Sequence, residues 1–357
     1  MSDSLLRDPR PKRSSPPSDD RDPFAFDVIP GTAVRDILAA SQADLVPLVA
    51  EAYLAHAQGR AHNPPSYFLR FDDRPQDRII ALPADLGDME GVAGIKWISS
   101  WPENVAAGMP RASALLALNR RDTGYPFCVL EASLISAART AASAILALEH
   151  LRADRLADGL HVGFVGCGVI ARQILDMMLA RGIRPGRVQA YDLRADDARR
   201  LLRHAGAAAD RAAASSIETV IRTSDVVVFA TTAASPHVAA PEWFAHAPVV
   251  LHVSLRDLAV DVILAADNVV DDVRHVLQAD TSVHLAEQHT GRTDFIAGTI
   301  AELVRGAVPL DGARPVIFSP FGMGILDLAV GMHVYRQAQR TGRAIAIPGF
   351  FADRTRW

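Results

Sequence analysis

A chain of 357 residues, 49% hydrophobic and 22% charged, has material for one or two substantial cores, and its length favours about two domains. A net charge of −4 supplies no global positive field, which argues against a nucleic-acid or anionic-membrane partner, and no apolar run approaches the roughly 20 residues of a membrane span. Two cysteines, Cys128 and Cys167, are too few for a disulfide framework and the N-terminus lacks the apolar core of a secretion signal, so the expected compartment is the cytoplasm.

Residues 1 to 23 are rich in Pro, Ser, Asp and Arg with little to bury, the composition of a disordered tail. From Phe24 to about Leu151, helical patterns (residues 41 to 57) alternate with the strand-like runs "RIIALP", "GIKWIS", "ASALLALN" and "FCVLEAS", an α+β layout that closes on an apolar helix over 140 to 151. The period changes at His161. "HVGFVG", a helix over 169–181, "RVQAYD", helices over 195–205 and 215–222, "DVVVFATT", "PVVLHVSL" and a strand over 268–272 follow one another. Strands that are apolar throughout and separated by helices predict a parallel sheet covered on both faces. A helix over 295–306 comes next, and "PVIFSPFGMGILDLAVGMHVYRQAQ" then reads as a strand entering a long helix that returns to the N-terminal part. The expected fold class is α/β: a doubly wound Rossmann sheet over 152–314 beside an α+β domain formed by 24–151 with 315–357.

Gly166, Gly168 and Ala171 follow the strand "HVGFV", open a helix and precede a second strand ending at Asp192. In that context the glycines let the backbone approach a pyrophosphate at the helix N-terminus, where amide donors and the helix dipole favour negative charge. Asp192 stands where an acidic side chain accepts from both adenosine ribose hydroxyls and repels a 2′-phosphate, which selects NAD over NADP. Two roles fit Arg194 beside it, a welcome for that phosphate or a solvated surface charge. Thr231 and Thr232 end the next strand, where such a sheet meets its cofactor and where threonines are also ordinary. Val169, Ile170, Ser254, Gly322 and Met323 complete the expected cofactor-binding set.

Of 37 basic residues only Lys12 and Lys96 are lysines, so the expected folded body holds one lysine, in "GVAGIKWISSWPEN". Arginine does not release its proton at useful pH, whereas a partly desolvated lysine does, and a site that shuttles protons keeps lysine where mere charge does not. The plain alternative is a surface lysine retained by chance. No cluster of His and Cys has ligand spacing, and no metal is expected.

"GIKWISSWPENVAAGMPRASALLALN", "GYPFCVLEASLISAARTAASAILALEHL", "GFVGCGVIARQ" and "SPFGMGILDLA" resemble, in order and spacing, the ornithine cyclodeaminase and mu-crystallin family, over about residues 27 to 345. Within it, "YFLRF", "DRIIALP" and "EASLIS" with "RTAA" look most like the dehydrogenases of siderophore and antibiotic pathways that release L-2,3-diaminopropionate from N-(2-amino-2-carboxyethyl)-L-glutamate. The resemblance implies an NAD-binding Rossmann domain, a substrate-binding domain that also forms a homodimer, a catalytic lysine at Lys96, a carboxylate-binding arginine at Arg139 and a catalytic aspartate at Asp257. Two departures weigh against ornithine: Ile79, Ile80 and Ala81 occupy the stretch where cyclodeaminases carry an amine-gripping glutamate, and "LRDLAVD" replaces the Gly- and Pro-containing run around the aspartate.

A substrate with three carboxylates calls for an arginine-rich pocket, and Arg70, Arg78, Arg111 and Arg139 lie in the segments that would build it. Each has a plain alternative as a surface ion pair. The expected chemistry is oxidation of a CH–NH bond followed by hydrolysis, with Lys96 and Asp257 moving protons. Asp257 as a mere strand-end cap is the alternative to that role. Two other readings stand beside it: a cyclodeaminase or simple amino-acid or imine reductase, and a non-catalytic dinucleotide-binding protein of crystallin type.

Overall fold

Alternating apolar positions shape the first part of the chain. The computed structural model describes residues 22–356 apart from 88, 154–155, 157–158 and 207–209, so residues 1–21 of the expected tail lie outside the described residues. Its first elements are β1 (Asp27–Ile29), α1 (Gly31–Ala40), α2 (Gln42–Ala57), β2 (Tyr67–Phe71), β3 (Arg74–Asp85), β4 (Val92–Ser100), β5 (Ala112–Arg120), β6 (Pro126–Glu131) and α3 (Ser133–Leu151). Helix α1 was not among the sequence expectations, which marked one helix from residue 41.

The second part runs β7 (His161–Val165), α4 (Val169–Ala180), β8 (Arg187–Tyr191), α5 (Ala195–His204), β9 (Asp210–Ala213), α6 (Ile217–Thr223), β10 (Val226–Phe229), β11 (Val249–His252), α7 (Val260–Leu264) and β12 (Asp267–Val270). It continues through α8 (Val273–Val276), α9 (Ser282–Thr290), β13 (Ile296–Thr299), α10 (Ile300–Val304) and β14 (Val316–Ser319), before α11 (Gly324–Arg340) and β15 (Ile345–Ala346) end the fold.

Among the described residues these strands form two sheets. One has the order β15-β1-β6-β5-β4-β3-β2 and the other β13-β12-β14-β11-β10-β7-β8-β9. All pairings in the second are parallel, and Val226–Phe229, Val249–His252 and Val316–Ser319 are buried along their whole length, as strands covered on both faces must be. The doubly wound α/β class is therefore as expected. Two expectations need correction. Residues 315–319 do not leave the Rossmann sheet, because β14 pairs with both β11 and β12, and the crossover falls after Ser319. The helix expected over 295–306 is a strand and a short helix, since Ile296–Thr299 finds an open edge beside β12 and the Thr299 capping box starts α10 only at Ile300.

Antiparallel register sets the two faces of the first sheet. Leu82, Lys96 and Leu116 stand opposite one another and point inward, where α11 covers them. Tyr67, Ala81, Trp97 and Leu115 form the neighbouring row and point outward, with Tyr67 67%, Trp97 39% and Leu115 43% exposed. Among the described residues no single helix is long and apolar enough to cross a membrane.

Candidate active site

Lys96 lies on the inner face of β4 and is 1% exposed. Its Nζ donates to Ser136 Oγ at 3.1 Å and forms an ion pair with Asp327 Oδ2 at 2.7 Å. Arg139 Nε donates to the other oxygen, Asp327 Oδ1, at 3.3 Å. Burial lowers the Lys96 pKa to about 8 and Arg139 pushes the same way, against the opposing charge of Asp327. Ser136 and Arg139 share one face of α3, one turn apart, and the start of that helix is fixed by Glu131, whose carboxylate accepts from the N–H groups of Ser133 at 2.7 Å and Leu134 at 3.3 Å.

Asp327 comes from α11, which begins where Ile325 N–H donates to Asn63 Oδ1 and Gly322 N–H donates to Asp271 Oδ2. Gly322 has φ +100°, and a Cβ there would meet Arg139 Nη1 at 2.6 Å, so its bare backbone makes room for the guanidinium. Asp327 was missed in the sequence. The signal was present: an acidic residue inside "GILDLAVGM", apolar on every side, must find a cation once buried.

The arginines expected in the pocket occupy one end of the same face. Arg70 pairs with Arg78 across β2 and β3, Arg78 pairs with Ser100 across β3 and β4, and Arg111 Nη1 donates to Ser100 Oγ at 2.9 Å. Four residues along β3 and β4 separate this row from that of Lys96, about 13 Å at the usual strand rise. Among the described residues none of Arg70, Arg78 and Arg111 has a carboxylate within ion-pair distance. Burial, then the charges of Arg111, Arg256 and Arg70, hold the Arg78 guanidinium below its ordinary value. Arg139 lies apart from this group, against Asp327.

In the second sheet Gly166 ends β7 with φ +83°, and a Cβ would stand 2.7 Å from the Ala230 carbonyl. Gly168 is the N-cap of α4 and faces open space, a cradle that a side chain would fill. Asp192 closes the loop from below, accepting from Cys167 N–H and from Arg194 N–H, both at 2.8 Å. Each oxygen keeps lone pairs for a ribose hydroxyl. Arg194 points to Asp197 at 3.5 Å and is largely exposed. Val169 is exposed beside the cradle and Ile170 half-buried, and Thr232 is exposed at the end of β10.

Met323, Gly322 and Asp257 lie buried within the protein. Met323 is fully buried in the core and presents no surface to a nucleotide, and Gly322, also buried, serves Arg139. Asp257 is fully buried, and its carboxylate accepts from Thr231 Oγ1 and Ser254 Oγ and contacts His252 Nε2 at 3.2 Å. Burial pushes its pKa up, but these partners outweigh it and hold the carboxyl below the usual range. His252, whose Nδ1 lies 3.1 Å from Ser319 Oγ, went unmarked in the sequence because a lone histidine inside an apolar strand carries no pattern. Among the described residues no group of three or more His, Cys, Asp or Glu side chains is arranged to hold a metal ion.

A parallel sheet with a glycine cradle at a helix N-terminus, joined to a second sheet that buries a lysine against an aspartate, defines a Rossmann-type protein with a second, mixed sheet beside the nucleotide-binding one. The chain belongs to the ornithine cyclodeaminase/mu-crystallin family, whose model matches residues 32–342. It is 29% identical to the N-((2S)-2-amino-2-carboxyethyl)-L-glutamate dehydrogenase of Staphylococcus aureus over 306 residues, 83% of this chain and 90% of that protein. It is 31% identical to the alanine dehydrogenase of Archaeoglobus fulgidus over 302 residues, 81% and 88% of the two chains. The structure of an archaeal alanine dehydrogenase dimer with bound NAD superposes with a TM-score of 0.79 at 28% identity, covering 92% of this chain and all of that one.

Proposed function

We propose that this chain is an NAD-dependent oxidoreductase that oxidises the CH–NH bond of N-(2-amino-2-carboxyethyl)-L-glutamate and releases L-2,3-diaminopropionate and 2-oxoglutarate, in supply of siderophore or antibiotic assembly. The observation that carries this reading is the group of unpaired arginines on the face of Lys96. Gathered cations without counter-ions call for an anionic ligand, and a single α-carboxylate, as in alanine, leaves most of them unmatched. Ile80, on the same inner face, offers nothing to the terminal amine of ornithine. The similarity to the Staphylococcus aureus dehydrogenase supports the same substrate class.

The residues divide the work. The loop at Gly166 and Gly168 suits a pyrophosphate and Asp192 the ribose hydroxyls. NAD+ held there would supply the hydride acceptor for the substrate carbon, and hydrolysis of the oxidised C–N bond would consume one water. Arg139, steadied by Asp327, holds the carboxylate next to the reacting carbon. Lys96 takes the proton from nitrogen and returns one as water adds, a task for which a pKa of about 8 is well matched. Asp257 anchors Thr231 and Ser254. The exposed row of Tyr67, Trp97 and Leu115, with Leu69 beside it, is an apolar face that a second copy covers, and the enzyme works as a homodimer.

The test is NADH formation by the purified protein, followed at 340 nm with N-(2-amino-2-carboxyethyl)-L-glutamate, alanine, ornithine and glutamate in separate assays. Turnover with the first and little with the others is expected; preference for alanine or ornithine would overturn the substrate assignment.

A further inference from the structure

Arg256 reaches the arginine row from the other sheet. It sits between β11 and α7, on a loop held from several sides: Leu258 N–H donates to Ser282 Oγ at 3.2 Å, Ser282 N–H donates to the Leu255 carbonyl at 2.9 Å, and the neighbouring Asp257 is locked as described. Its own Nη2 donates to the Ala279 carbonyl at 2.8 Å. Ala279 and Asp280 have φ of +54° and +52°, left-handed backbone that costs a non-glycine residue about 1 kcal/mol or more. A strained turn thus aims one carbonyl at one guanidinium.

A second nitrogen of that guanidinium is unsatisfied. Arg256 Nε is buried without a hydrogen-bond partner, and among the described residues no carboxylate lies within ion-pair distance of Arg256. Its charge acts on Arg78, which stands on β3 of the other sheet. Arg78 thus feels guanidinium charge from its own sheet, through Arg111 and Arg70, and from the other sheet, through Arg256, and among the described residues none of the four has a carboxylate within ion-pair distance. Planar forks of this kind match carboxylates bidentately.

We propose that Arg256 is a specificity-determining residue that completes, with Arg78 and Arg111, a seat for the distal carboxylate of a glutamate-derived amino acid, joining the nucleotide-bearing sheet to the far end of the substrate. The inference rests on the substrate reading above and deepens it. It also separates two tasks: Arg139 grips the carboxylate beside the reacting carbon, and the seat measures chain length.

The experiment compares wild type, Arg256→Gln and Arg256→Lys with NAD+ bound, titrating 2-oxoglutarate, which carries the distal carboxylate, and pyruvate, which lacks it. Arg256→Gln is expected to weaken 2-oxoglutarate by about tenfold or more and to leave pyruvate and NAD+ within about twofold, while Arg256→Lys recovers part of the loss because it restores charge without the fork. The same variant should raise KM for N-(2-amino-2-carboxyethyl)-L-glutamate more than it lowers kcat. Equal losses for both keto acids, or a loss of NAD+ affinity, would make the residue structural and overturn the proposal, as would an unchanged 2-oxoglutarate affinity. If the glutamate derivative is not turned over but 2-oxoglutarate binding still depends on Arg256, the seat stands and the substrate reading fails. Wild-type protein supplies a readout that needs no variant: 2-oxoglutarate, and not pyruvate, should shield Arg256 from phenylglyoxal as mapped by mass spectrometry, and absence of that shielding counts against the seat.

Discussion

At the scale of single residues the site turns on one buried amine. Lys96 has a pKa near 8 because burial disfavours its charge more than Asp327 favours it. In the proposed role of proton acceptor it would work in the neutral form, so kcat/KM should rise with pH through about 8. Asp327→Asn removes the charge that stabilises the ammonium, and the rising limb should move to lower pH; a limb that stays put would show that Asp327 does not govern Lys96. Lys96→Arg keeps charge but cannot cycle its proton, and turnover should fall by roughly 100- to 10,000-fold while NAD+ affinity survives. Lys96 was legible in the sequence because an arginine-biased chain makes a lone lysine conspicuous. Arg256 was not, since in such a chain one more arginine is noise until a fold shows which of them lack partners.

At the scale of elements, the turn from β7 into α4 and the end of β8 act as a unit. Asp192 touches the loop through Cys167 N–H, so the groups proposed for the ribose and the pyrophosphate hold one another in place. A 2′-phosphate would meet that fixed carboxylate, whereas Arg194 is already turned toward Asp197. NAD(H) should therefore bind more tightly than NADP(H) by at least about tenfold, on the order of 1.4 kcal/mol, in calorimetric titration. Equal or reversed affinities would mean that Arg194 swings over and dominates. This turn was legible in full, because strand, glycine spacing and helix follow within one short stretch. Ile296–Thr299 was misread as helix, since four apolar or small residues ahead of a helical pattern do not reveal an open sheet edge that recruits them. Helix α2 was legible over 41–57, whereas the short α1 ahead of it was not marked.

At the scale of the whole molecule, the outward row of the first sheet is the feature that a monomer does not explain. Exposed aromatic and aliphatic side chains on β2, β4 and β5, ending on the edge strand β2, form a surface that water does not favour. Light scattering at micromolar concentration should give a dimer for the wild type and a monomer for Trp97→Arg combined with Leu115→Arg. A monomeric wild type would exclude the homodimer.

The Lys96–Asp327 pair also dictates when in the life of the chain the site can first exist. Its two members lie in the first and last thirds of the sequence, and the whole Rossmann sheet is made between them. A ribosome-bound chain that has already folded its nucleotide cradle still lacks the carboxylate, and Lys96 stays without its partner until α11 emerges and docks on β4. In such a topology synthesis itself serves as a timer, and a regain of activity on refolding reports the arrival of the last long helix rather than the completion of either sheet.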